Sequence, residues 1–303
     1  MPFWSQLDIP DLCRRIRLAL QEDIGDGDLT TAATVDNEQQ GSAVVVAKGS
    51  GIVCGLRVFE ETYHILDEGV EVNMLVSEGH EVRAGEQVLI VSGKVSSILT
   101  GERVALNFLG WLSGVATLTR QFADRAAPFG ARIADTRKTT PLWRDLEKYA
   151  VQVGGGVNHR SGLDDMILIK ENHIDAAGSP REAVARVRKR WAHRYRVEIE
   201  TRNLREVYEA LDLDVDRIML DNFPLEEMAE AVTMVNGERE LEASGGVNLS
   251  NVADIARTGV DIISAGALTH SSIVVDYSML IRFKPAHRDT AVSEQLDRAD
   301  GAA

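Results

Sequence analysis

RVEIETRNLREVYEALDLDVDRIMLD, residues 196–221, holds two short apolar runs, RVEIE and RIMLD, on either side of LREVYEAL (204–211). The apolar residues of that middle segment recur at helical spacing, and a strand, a helix and a strand in this order make a βαβ unit with parallel strands. Similar runs flank it on both sides: ARIADT (131–136), DDMILIK (164–170), ELEAS (240–244) and DIISAG (261–266). REAVARVRKRWA (181–192) and LEEMAEAVTMV (225–235) supply further helices between them. The count is about six units, short of the eight in a complete (β/α)8 barrel. A partial barrel and an open doubly wound sheet both satisfy it. No GxGxxG opens a helix here, which disfavours a dinucleotide site.

Upstream the pattern differs. Leu12, Ile16, Ala19 and Leu20 lie at helical spacing within residues 10–22. GSAVVVAKGSGIVCGL (41–56) is β-rich and broken by glycines, and SEGHEVRAGEQVLIVSGKVSSIL (77–99) reads as hairpins. The first 98 or so residues thus read as one helix followed by a mostly antiparallel sheet. Thr100 is placed to cap a long amphipathic helix, TGERVALNFLGWLSGVATLTRQFADRA (100–126), at a domain junction.

A chain of 303 residues with 44% apolar residues can bury a large core. Its net charge of -14 argues against nucleic acid or an anionic membrane as partner, since both require broad positive fields. Any basic cluster is therefore local. Cys13 and Cys54 lie in no metal-ligand spacing and fit a reducing compartment better than a disulfide. The N-terminus lacks the apolar run of a signal peptide, and no segment reaches the roughly 20 apolar residues of a membrane span. A cytoplasmic protein is expected.

Ligands of parallel α/β folds bind at the carboxyl ends of the strands. Those ends read in order: Thr136, Arg137 and Lys138; Lys170; Glu200; Asp221; Ser244-Gly245-Gly246; and Ser264-Ala265-Gly266. The Gly-rich segment GGGVNHR (154–160) adds His159 and Arg160. Cations come first, then two acids, then small glycine-rich loops. Arginine and lysine bind carboxylates by charge-assisted hydrogen bonds. Neighbouring acids can hold ribose hydroxyls or share Mg2+. Glycine loops bring backbone N–H groups to a phosphate. Each residue alone is more often structural or a solvated charge, but independent surface charges do not fall at successive strand ends.

At these residues the sequence resembles the quinolinate phosphoribosyltransferases. The resemblance covers roughly residues 10–283 and rests on ten segments in order. They are EDIGDGDLTT (22–31), GERVALNFL (101–109), SGVATLT (113–119), DTRKTTP (135–141), LEKYAVQVGGGVNHRSGLDD (146–165), LIKENH (168–173), VEIE (197–200), MLDN (219–222), LEASGGV (241–247) and SAGALTHS (264–271). It implies an α/β protein: an N-terminal α/β sandwich and an incomplete α/β barrel. We set these at residues 1–115 and 116–269, with residues 270–290 returning to the sandwich and residues 286–303 a mobile tail.

The resemblance further implies transfer of phosphoribose from phosphoribosyl pyrophosphate to quinolinate, with release of pyrophosphate and CO2, as in NAD biosynthesis. By resemblance Thr136, Arg137, Lys138, His159, Arg160 and Lys170 bind quinolinate. Glu200 and Asp221 face the phosphoribosyl group and are the implied Mg2+ ligands, directly or through water or substrate. Ser244, Gly245, Gly246, Ser264 and Gly266 bind phosphate, and Lys170, Glu200 and Asp221 form the catalytic set. The assembly implied is a homodimer or higher even oligomer in which Arg103 crosses to the neighbouring site. Lys170 and His159 are both candidates to protonate the carbanion left by CO2.

One departure stands out. The family usually reads TRKTTPGLR, whereas this chain has Thr139-Thr140-Pro141-Leu142-Trp143-Arg144. A leucine replaces a glycine, which bears on loop geometry and substrate fit. That keeps open a paralogue for another aromatic acid, of the molybdenum-operon type. A Schiff-base aldolase using Lys170 is the other alternative.

Overall fold

The computed structural model describes residue 4 and residues 7–283. The expected tail at 286–303 lies outside the described residues. The strands are β1 (Gln40–Ala47), β2 (Gly51–Ile52), β3 (Glu71–Met74), β4 (Glu81–Val82), β5 (Gln87–Lys94), β6 (Arg132–Ala134), β7 (Ile167–Ile169), β8 (Val197–Thr201), β9 (Arg217–Asp221), β10 (Glu240–Ser244), β11 (Ile262–Ser264) and β12 (Tyr277–Phe283). The α-helices are α1 (Ile9–Ile24), α2 (Leu29–Thr34), α3 (Leu56–Leu66), α4 (Val95–Ala126), α5 (Arg144–Val153), α6 (Glu171–Ala177), α7 (Pro180–Trp191), α8 (Leu204–Leu211), α9 (Leu225–Val235), α10 (Val252–Arg257) and α11 (Ala267–His270).

Six parallel strands form one sheet in the order β6-β11-β10-β9-β8-β7. Val157 adds a single parallel bridge to Ala134 beyond β6. Among the described residues no hydrogen bonds join that edge to β7, so the sheet curls into an incomplete barrel. The period of two along each strand divides its residues between two faces. Ile199, Ile218, Leu220, Leu241, Ala243 and Ile263 join the apolar core under the helices. Glu198 and Glu200, Arg217 and Asp221, and Glu242 and Ser244 alternate with them and face the interior.

The other sheet is antiparallel, β12-β1-β5-β3, with β12 arriving from beyond the barrel to pair with β1. Its inner face packs with α3 and α4 into a second core containing Phe59, Tyr63, Leu89 and Leu109. Helix α4 serves both cores and runs unbroken through residues 115 and 116. Gly110 and Gly114 let the chain before β12 cross α4 at backbone distance: a Cβ on Gly114 would lie 2.4 Å from the Ile273 carbonyl oxygen. Ser113 exchanges hydrogen bonds with the Cys54 backbone and accepts one from the Tyr277 hydroxyl.

Two local expectations are corrected. Helix α4 begins at Val95 with Lys94 as N-cap, not at Thr100, and no side chain caps it. The Thr100 hydroxyl instead donates to Asp28. The first 98 residues also contain two helices that the helix-then-sheet reading omitted, the short α2 and the longer α3. The free N–H groups of α3 at Gly55 and Leu56 are satisfied by the Glu78 carboxylate, a cap that comes from 22 residues further along the chain. Both cysteines are free.

Candidate active site

The open carboxyl end of the barrel is a cavity of about 810 Å3. Each site residue named from the sequence lines it, except Arg103. Arg137, Lys138, His159, Arg160 and Lys170 lie to one side in chain order, Glu200 and Asp221 follow, and Ser244, Gly245, Gly246, Ser264 and Gly266 complete the wall. Leu168, Met219 and Val247 contribute apolar surface, and Asn222, Glu242 and His270 are lining residues that the strand-end reading missed.

The cations are held differently. Lys170 is ion-paired with Glu200 at 2.7 Å. The stem of Lys138 lies across Gly266, where a Cβ would come within 2.8 Å of it, and its carbonyl accepts from the Thr269 hydroxyl. Arg160 is buried, and among the described residues its guanidinium donates only to the Met166 carbonyl at 3.3 Å, which leaves most of its side-chain donors for an anion. Burial, with Arg137 adding like charge, lowers its pKa from the usual arginine range. Gly245 (φ 95°) and Gly246 (φ 60°) adopt the left-handed conformation that glycine favours, and Asn222 (φ 56°) sits against the first of them.

Behind the cations is a clamp that the sequence did not reveal. Asp135 is fully buried. It accepts from the Lys148 ammonium, the Asn158 amide and the His159 backbone N–H, and Lys148 also donates to the His159 carbonyl. Burial pushes the Asp135 carboxyl up and the Lys148 amine down, while their mutual attraction opposes both shifts. The pair ties the strand end bearing Thr136–Lys138 to the segment bearing His159 and Arg160.

Deeper still, Glu198, Arg217 and Glu242 fill the barrel interior. The Arg217 guanidinium reaches Glu242 at 2.8 Å and Glu240 at 2.7 Å, and lies 3.8 Å from Glu198. Loss of solvent pushes both Glu198 and Glu242 up to about 7. These residues escape a reading of the strand ends because they lie at the start or in the middle of runs that are otherwise apolar.

Leu142 adopts the left-handed conformation itself, at φ 69° with its side chain 78% exposed. Its carbonyl accepts from Arg15, which also grips Asp145 and lies 4.9 Å over the Trp143 ring. Trp143 in turn packs edgewise on Phe108 and Trp111. The loop therefore keeps a glycine-like turn without glycine, and Thr136–Lys138 still face the cavity.

Arg103 is exposed on α4, away from this cavity. No helix among the described residues is long and apolar enough to cross a membrane.

Residues 28–113 match the quinolinate phosphoribosyl transferase N-terminal domain and residues 115–280 the C-terminal domain. A Synechocystis protein named probable nicotinate-nucleotide pyrophosphorylase [carboxylating] is 45% identical over 265 residues, covering 86% of this chain and 90% of the relative. The Nicotiana glauca quinolinate phosphoribosyltransferase [decarboxylating] 1 is 43% identical over 290 residues, covering 89% and 82%. The crystal structure of NadC from Streptococcus pyogenes superposes with a TM-score of 0.89 at 37% identity, covering 92% of this chain and 99% of that one.

Proposed function

The chain belongs to the quinolinate phosphoribosyltransferase family, and from that footing we propose that it runs the family's reaction in the cavity at the carboxyl end of its barrel. It is a pentosyltransferase of NAD biosynthesis. It transfers phosphoribose from phosphoribosyl pyrophosphate to quinolinate and releases pyrophosphate and CO2, leaving nicotinate mononucleotide. The observation that carries the assignment is a single cavity whose wall brings Arg137, Lys138, Arg160 and Lys170 together with the carboxylates of Glu200 and Asp221 and two small-residue loops.

Quinolinate bears two adjacent carboxylates, and Arg137, Lys138, Arg160 and Lys170 supply the charge to hold them, with Thr136 and His159 beside them. The phosphate rests on Ser244-Gly245-Gly246 and on Ser264 and Gly266, whose backbones approach closely. The pyridine nitrogen attacks C1 of the ribose as the bond to pyrophosphate breaks. No general base is needed, because that nitrogen has a free lone pair. Positive charge growing at C1 is faced by Glu200 and Asp221. Once alkylated, the ring nitrogen is cationic. The neighbouring carboxylate leaves as CO2, its electron pair stays on the carbon beside N+, and a proton closes the step. Lys170 and His159 both line the cavity, and either is a candidate to supply that proton.

Glu200 and Asp221 fit Mg2+. They are two carboxylates opening on the cavity at neighbouring strand ends, and Mg2+ takes one or two from a protein when substrate phosphates complete its shell. When bound, Mg2+ neutralises charge on the leaving pyrophosphate. The buried trio His159, Glu198 and Glu242 does not fit, since the Arg217 guanidinium already occupies Glu242. An aldolase is disfavoured by the Lys170–Glu200 ion pair, because a Schiff-base lysine needs a desolvated amine.

We also propose a homodimer or higher even oligomer in which Arg103 of one chain enters the neighbouring cavity. Its exposure on α4, beside a hollow lined by Leu18, Asn107, Trp111 and Leu142, supports this. A cytoplasmic location is our reading of the two free cysteines.

The test is pyrophosphate and CO2 release with quinolinate or nicotinate, each with and without Mg2+. Release only with quinolinate and Mg2+ is expected. Arg160→Ala removes one contact to the dianion and costs about 2–5 kcal/mol of transition-state binding. Turnover within a few-fold of wild type would remove Arg160 from the site.

A further inference from the structure

His159 is the cavity residue whose role the mechanism leaves open, and its hydrogen bonds restrict that role. Its backbone is held on both sides, with the N–H donating to Asp135 at 2.9 Å and the carbonyl accepting from Lys148 at 2.8 Å. The ring nitrogens are also taken. The backbone N–H of Arg160 donates to Nδ1 at 2.7 Å. A backbone amide can only donate, so Nδ1 must offer its lone pair and the ring proton of the neutral imidazole must sit on Nε2. Nε2 points away from solvent, 3.0 Å from Glu198 Oε2 and 3.5 Å from Glu242 Oε1. Both carboxylates are fully buried, and Arg217 holds Glu242 from the other side. Among the described residues every polar atom of His159 thus already has a protein partner.

We propose that Glu198 and Glu242 are positioning residues that fix His159 in its neutral Nε2–H form, as an uncharged wall of the quinolinate subsite that neither binds carboxylate nor donates a proton. This rests on the reading of the cavity as the quinolinate site. It leaves the charge of the substrate to Arg137, Lys138, Arg160 and Lys170, and of the two candidate proton donors it retains Lys170. Burial lowers the His159 pKa, with Glu242 and Asp135 opposing the shift and Arg217 and Lys148 adding to it, so the balance favours the same neutral ring. An arrangement of this kind suits a site crowded with cations, because a fifth positive charge beside Arg160 would be repelled while a neutral ring is not.

Two measurements test it. The first is nitrogen NMR of the histidine rings in the intact wild-type protein at neutral pH. His159 should show one neutral form, protonated at Nε2 and bare at Nδ1, unchanged when quinolinate is added. An imidazolium, an Nδ1–H form or a ring that gains charge on adding quinolinate would overturn the proposal. The readout needs no turnover, so it stands apart from the functional assignment, whose own failure would appear as wild-type protein that does not consume quinolinate. The second is kinetic. His159→Gln keeps a donor where Nε2 was but cannot shuttle a proton. It should retain turnover, reduced by no more than about tenfold, whereas loss of several orders of magnitude in kcat would make His159 the acid. Glu198→Gln and Glu242→Gln should each lower kcat/KM for quinolinate by about 10- to 100-fold, the range for second-layer partners, while KM for phosphoribosyl pyrophosphate moves less than about twofold. An equal effect on both substrates would mark the pair as merely structural.

Discussion

Replacing Lys148 by methionine removes the ammonium of the Asp135 clamp while keeping most of the side-chain length. The carboxylate of Asp135 then retains two neutral donors, the His159 N–H at 2.9 Å and the Asn158 amide, and the His159 carbonyl loses the donor it has at 2.8 Å. Breaking one side of a buried ion pair costs about 3–5 kcal/mol. The two remaining donors place this case at the lower end, about 3 kcal/mol. That is a large part of the 5–15 kcal/mol by which folded domains are usually stable. The assay is urea denaturation, with the midpoint falling while the slope stays unchanged. A double-mutant cycle with Asp135→Asn isolates the pair. The combined variant should be about 1–3 kcal/mol more stable than the sum of the two losses predicts, because no charge is left stranded. A Lys148→Met loss below about 1 kcal/mol, or losses additive within ~0.5 kcal/mol, would refute the clamp.

Three further outcomes follow from other positions. Unfolded, Glu198 and Glu242 release their protons near 4.5, whereas the folded pair holds on up to about 7. The folded state therefore binds more protons between those values, and its stability falls as pH rises through them, by about 3 kcal/mol counting the pair once; Glu242→Gln should flatten that part of a midpoint-against-pH curve, and a curve parallel to wild type would contradict the assignment. Leu142→Gly relieves a left-handed residue costing about 1–2 kcal/mol and gives back about 0.5–1 kcal/mol of chain entropy; calorimetry should show a melting temperature about 1–2 °C higher, and a fall would mean the exposed leucine packs on something. Gly245→Ala would put a Cβ 2.2 Å from Asn222 Oδ1. KM for phosphoribosyl pyrophosphate should then rise tenfold or more, and an unchanged value would move the phosphate elsewhere.

The strand ends of the barrel were legible because parallel strands gather their carboxyl termini on one face, so a linear reading of the last residues recovers a three-dimensional cluster. Glu198, Arg217 and Glu242 obey the same alternation, two residues before Glu200, four before Asp221 and two before Ser244. The signal is present, but an isolated charge within an otherwise apolar run leaves the strand pattern intact and does not by itself mark a site. Helix α3 and the start of α4 were harder for a physical reason. The cap of α3 is supplied by Glu78 through tertiary contact, and α4 has no side-chain cap, so neither helix start carries a local mark. The Asp135–Lys148 pair spans a helix and a loop and has no sequence periodicity of its own.

The pairing of β12 with β1 bears on how the protein is made. Gly41 lies opposite Phe283, so the first sheet receives its last strand only after the whole barrel has been synthesised. A ribosome adding about 5–20 residues per second leaves β1 with one bare edge for some tens of seconds. During that interval the nascent chain presents unpaired backbone groups to every neighbouring strand. The stretch 273–283 therefore acts as a late fastener in biogenesis, and the window before it arrives is when the newborn protein is most exposed to aggregation and most in need of a chaperone.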